Sequence, residues 1–93
     1  MKTSTTIDKE LITPLQFAKK EVLTNPEDRK KRLNDLFRSQ TLGNLLQTKV
    51  KITFESADDQ TYQVHTTVWA VGADFVSLKS GLFIPIHAIL QVD

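Results

Sequence analysis

Residues 71–93 read VGADFVSLKSGLFIPIHAILQVD, and this stretch decides the fold. Gly72, Ala73 and Asp74 form a turn, and residues 75–79 that follow are apolar enough for a strand. Ser80 and Gly81 make a tight hairpin into a strand over residues 82–86. His87 and Ala88 then turn the chain into a last strand over residues 89–92.

Upstream of this stretch the hydrophobic period is still two. Val50, Ile52 and Phe54 alternate with Lys51, Thr53 and Glu55, as in a half-buried strand. Residues 56–60, with Asp58 and Asp59 side by side, are a turn. Residues 62–71 form a second strand, and a run of that length in a small sheet bends or carries a bulge. Five short strands at this spacing predict a mainly β fold, a strongly bent antiparallel sheet closed into a small barrel over residues 41–93.

The chain before the strands reads as helical. Thr13 is an N-cap and Pro14 a first helical residue, predicting a helix to about residue 23 with Leu15, Ala18 and Val22 on one stripe. Pro26 ends it near Asn25 and, with Glu27 and Asp28, opens a second helix whose apolar stripe is Leu33, Leu36 and Phe37. That helix is expected to end or bend between Ser39 and Gly43. A last turn, TLGNLLQ, then sets Leu42, Leu45 and Leu46 against the strands. Residues 13–40 are thus a helical extension, and residues 1–12, rich in Thr, Ser and charge, a flexible tail.

At 93 residues there is room for one domain with one modest core, so self-association is the prior. Cysteine is absent, which removes disulfides and thiolate metal sites, and the two histidines, His65 and His87, are a poor metal set. No cofactor and no metal are expected. No apolar run reaches membrane-span length, and the N-terminus carries acids where a signal peptide needs an apolar segment, so the expected compartment is the cytoplasm. The net charge of +1 conceals an asymmetry. Residues 1–49 hold ten Lys and Arg against six Asp and Glu, and residues 50–93 hold two against five. A basic arm on an acidic β-domain suits either phosphates or a neighbouring copy.

A helix followed by five strands, with the centre VGADFV and a close spaced as Ile84, Ile89 and Val92, resembles the Sm-like family, which includes Sm and Lsm proteins and the bacterial RNA chaperone Hfq. The resemblance covers residues 41–93 and implies an SH3-type small barrel that assembles into rings and binds RNA. In the family a hydrophobic-Asn-hydrophobic triplet contacts a base. Val76-Ser77-Leu78 stands there in this chain, with Asp74 as the acid of the preceding loop. The second motif, Ile84-Pro85-Ile86-His87-Ala88-Ile89, keeps the His-Ala-Ile of the bacterial form and has Ile86 in place of its Lys. The resemblance therefore implies a degraded base-reading site in which His87 is the best surviving member.

Each singled-out residue also has a plainer reading. His87 either lines a nucleotide site or sits in a turn bonded to backbone. Arg29, Lys30, Lys31 and Arg32 either contact phosphates or form a solvated helix face paired with Glu27, Asp28 and Asp35. Trp69 and Tyr62 are either stacking platforms or core and interface anchors, and Asp58 and Asp59 solvate a loop. No nucleophile set, phosphate loop or carboxylate cluster is present, so no enzyme is expected.

Two functions follow. One is an oligomeric, ring-type Sm-like module that binds RNA through His87, Ser77, Asp74 and the basic run at residues 29–32. Its rings would close by pairing strand 82–86 with strand 89–92 of the next copy through Leu82, Ile84, Ile86, Ile89 and Val92. The other is a structural or protein-interaction module whose β-domain drives homo-oligomerisation and whose N-terminal helices dock a protein partner.

Overall fold

The computed structural model describes Thr5–Thr6 and residues 16–93. The one α-helix among the described residues, α1 (Pro26–Leu46), begins where the sequence places it. Asn25 is extended, and its side-chain oxygen accepts from the Glu27 N–H at 2.8 Å. Pro26 opens the first turn, and Glu27 and Asp28 complement its positive end.

The helix runs past the expected stop at Ser39–Gly43 and ends with Gln47 in the left-handed region (φ 53°). Gly43 does not break it, because its glycine serves packing rather than a turn. A Cβ there would overlap the Val68 carbonyl oxygen and lie 2.9 Å from Thr67 Cγ2. The inward stripe is Arg32, Leu36, Ser39 and Gly43. Leu33 and Phe37, expected on it, are exposed, as are Leu45 and Leu46; Leu42 is half-buried.

Among the described residues the strands fall into two sheets. The first has the order β1 (Thr5–Thr6), β3 (Thr61–Thr66), β2 (Val50–Glu55), β7 (Ile89–Val92), with β1 parallel to β3 and the rest antiparallel. The second is β4 (Val68–Val71), β5 (Phe75–Leu78), β6 (Phe83–Pro85), all antiparallel. Ile52, Phe54, Val64 and Ile89 from the first sheet and Val68, Val76, Leu78 and Ile84 from the second share one core, closed on the helix side by Leu36.

The expected closed five-stranded barrel is not formed. The long strand at residues 62–71 breaks at Thr67, whose hydroxyl donates to the Gln47 carbonyl (3.3 Å) and whose carbonyl accepts from the Lys79 N–H (3.0 Å). The second gap lies between β6 and β7. Pro85 has no N–H to donate, and a 3-10 turn over Ile86–Ala88 follows it, so the ladder stops there. A second 3-10 turn, Lys79–Gly81, with Gly81 at φ 78°, replaces the expected two-residue hairpin.

The first predicted helix is also corrected. Residues 16–23 are not helical, because the end of β2 offers their backbone groups partners that a short helix would have to supply itself. Phe17 bridges Ser56, the Ala18 N–H donates to the Glu55 carbonyl at 3.0 Å, and the Ala57 N–H donates to the Gln16 carbonyl at 2.7 Å. Phe17 also packs its ring against Phe54, with centroids 5.4 Å apart. No pair of N-terminal helices exists among the described residues. Residues 13–15, and the expected flexible tail apart from Thr5–Thr6, lie outside the described residues.

Candidate functional site

The basic run at residues 29–32 wraps around α1, and successive cations point to different surroundings. Arg32 is 6% exposed, and its guanidinium forks onto the Glu21 carboxylate (2.7 and 2.6 Å) while also donating to the Ile89 carbonyl at 2.9 Å. Its Nε is buried without a partner. The Arg32 hydrogen bonds hold the Glu21 carboxyl below the usual carboxylate range, against the opposing effect of partial burial. Arg29 donates to the Leu23 carbonyl at 2.7 Å and lies 3.8 Å from Glu21. Lys31 pairs with Asp35 at 2.6 Å, and Lys30 is exposed. Of the run, Arg32 is thus turned inward, while Arg29, Lys30 and Lys31 stay exposed.

Glu21, which organises this cluster, was not singled out in the sequence. It lies eleven residues before Arg32 in a non-helical segment, so no helical spacing links the two.

His87 sits in the 3-10 turn between the sheets, half-buried. Its Nε2 lies 2.6 Å from the Ala18 carbonyl, which can only accept, so that nitrogen carries the hydrogen. The His87 carbonyl accepts from the Val22 N–H at 2.9 Å, so both ends of the residue grip the 16–23 segment. Asp74 is exposed in its turn, and its carbonyl accepts from the Ile86 N–H at 2.9 Å. This places the Asp74 main chain beside the residue preceding His87, while the His87 ring is directed to Ala18.

Ser77 lies half-exposed in the middle strand of the second sheet, between Ala70 on β4 and Phe83 on β6. The side chains of Ile84, Ile86, Ile89 and Val92 are buried within this chain, and Leu82 packs against them. What that stretch offers a neighbour is therefore backbone. Among the described residues β6 is laddered to β5 alone and β7 to β2 alone.

Sequence reasoning missed the outer face of the second sheet. A bulge at Trp69, between the pairs Val68–Leu78 and Ala70–Ser77, leaves both Trp69 and Ala70 exposed. Trp69, Phe75 and Phe83 are 49%, 52% and 58% exposed. Phe75 and Phe83, with Ala70, Gly72, Ala73, Asp74 and Ser77, line a hollow of about 360 Å³. The available signal was the alternation in β5, where Phe75 must face out if Val76 and Leu78 face in. Tyr62, by contrast, is half-buried and stacked on Phe54, with centroids 6.0 Å apart. In the 56–60 turn, the Asp58 carboxylate accepts from the Ser56 hydroxyl, and Asp59 takes a left-handed φ of 69°.

Among the described residues no three His, Asp or Glu side chains converge on a common point, and no helix is long and apolar enough to cross a membrane. Comparison with protein-family models, curated proteins and solved structures finds no match to this chain.

Proposed function

We propose that this chain is a cytoplasmic, non-catalytic interaction module that works by self-association, with a second copy of itself as partner. The observation that carries the reading is the second sheet. Its outer side leaves Trp69, Phe75 and Phe83 about half exposed, on a domain too small to leave such area idle without cost. Among the described residues β6 and β7 are each laddered to one neighbour, which supports it further, since an open sheet edge invites another chain. Opposite charge in the two halves of the chain makes contact between copies favourable. RNA binding has less to draw on, because Arg29, Lys31 and Arg32 already have partners within the chain and the His87 ring is engaged by Ala18.

Light scattering of the purified protein over a range of concentrations, with absorbance at 260 and 280 nm recorded together, tests the reading. A nucleic-acid-free oligomer is expected. A monomer at every concentration, or an assembly held together by co-purified RNA, overturns it.

A further inference from the structure

We infer that the outer face of the β4–β5–β6 sheet is a two-fold interface. A second copy of this chain docks there, with the aromatic side chains of each copy seated in the hollow of the other. The inference rests on the self-association reading above and assigns it a surface.

The sheet is apolar on both sides. Val68, Val76, Leu78 and Ile84 fill the core from its inner side, and Trp69, Ala70, Phe75 and Phe83 occupy its outer side. An antiparallel sheet with a solvated face ordinarily alternates apolar with polar residues. Here the outward positions of β5 are Phe75 and Ser77, and only Ser77 follows that rule. Knobs and hollow also belong to one patch. Phe75 and Phe83 line the same 360 Å³ depression as the small residues Ala70, Gly72 and Ala73. A surface that carries both halves of the fit is what a two-fold contact requires, because each copy must present the same patch.

The area agrees with such a dimer. A fully buried aromatic removes roughly 150–250 Å² from water. Three at about half exposure therefore leave on the order of 300 Å² for a partner to cover. A standard interface buries about 800 Å² per side, with a dry centre inside a polar rim, so the three aromatics are of the right size for that centre. The charge at the hollow is the Asp74 carboxylate, which repels phosphate and disfavours a nucleic-acid occupant.

Ser77 lies mid-sheet, where a two-fold axis brings a residue close to its own counterpart, and the chain has no cysteine to confuse a thiol test. Ser77→Cys is treated with a short bis-maleimide beside Asn44→Cys, an exposed helix position, and both are run on denaturing gels. Light scattering follows the same samples and Phe83→Asp. The expected result is a linked dimer in Ser77→Cys, only background linkage in Asn44→Cys, and at least tenfold weaker association in Phe83→Asp. An oligomer that persists in Phe83→Asp and is not linked through Ser77→Cys overturns the face while leaving self-association standing, as pairing through the β6 and β7 edges would. A wild-type monomer removes both.

Discussion

Gly43→Ala should destabilise the protein, although the same change in an exposed helix interior stabilises by about 1 kcal/mol. The added methyl would overlap the Val68 carbonyl oxygen and sit 2.9 Å from Thr67 Cγ2 and 3.3 Å from the Val68 carbonyl carbon. Two of these three neighbours are backbone atoms, so no rotamer change relieves the overlap. α1 and β4 must instead separate, and β4 is held from the other side by its ladder with β5. Separation would also loosen the contacts of Leu36 and Val68, both fully buried. Overpacking of this kind costs about 1–3 kcal/mol, and a backbone overlap belongs at the upper end. Subtracting the helix-propensity gain leaves a net loss of about 2 kcal/mol. In a domain of this size that lowers the melting temperature by roughly 8–16 °C. Urea unfolding followed by circular dichroism measures the difference directly. Asn44→Ala, one residue on and exposed, is the control and should be neutral or slightly stabilising. A Gly43→Ala protein as stable as wild type would show that α1 does not lie on β4 as described.

Three further outcomes are expected. Glu21→Gln leaves the buried Arg32 guanidinium without its counter-charge and should cost about 2 kcal/mol near neutral pH. Because the folded Glu21 carboxyl titrates below its ordinary value of 4.5, the unfolded chain takes up that proton first. The wild type's advantage is therefore complete above pH 4.5 and is lost as pH falls through the lower folded value; a gap constant across that window in unfolding experiments contradicts the Glu21–Arg32 assignment. Asn25→Ala removes the N-cap acceptor of the Glu27 N–H and should cost about 1 kcal/mol, with faster hydrogen exchange confined to the first turn of α1. Leu36→Ala empties the one fully buried apolar position of the helix and should cost about 2–5 kcal/mol by urea titration, whereas Leu33→Ala should stay within about 0.5 kcal/mol.

How far the chain could be read in advance depended on the range of the forces involved. The strands at residues 50–55 and 89–92 and the start of α1 were legible, because alternation and capping are written within a few residues of where they act. The segment before Asn25 was not. Thr13, Pro14 and the spacing of Ala18 and Val22 favour a helix locally, yet Glu55, Ala57 and His87 supply that segment with backbone partners from far along the chain. Gly43 misled for the same reason, since a glycine required by a neighbouring strand has the same letter as one that ends a helix. The basic run at residues 29–32 reads either as a phosphate surface or as a paired helix face, and of the partners that engage three of its four members only Asp35 lies at a helical spacing that the sequence displays.

By itself, then, the sequence determined that this is a small, cysteine-free, mainly β chain with a helix opening at Pro26, and where most of its strands lie. Those features follow from local sterics, periodicity and composition. The tertiary structure decided that the strands form two sheets instead of a closed barrel, because Thr67, Pro85 and the 3-10 turn after Pro85 interrupt the ladders. It also decided which apolar side chains stay outside. Trp69, Phe75 and Phe83 are as hydrophobic as the residues of the core, and only the pleat, the bulge and the packing of the opposite face turn them toward solvent.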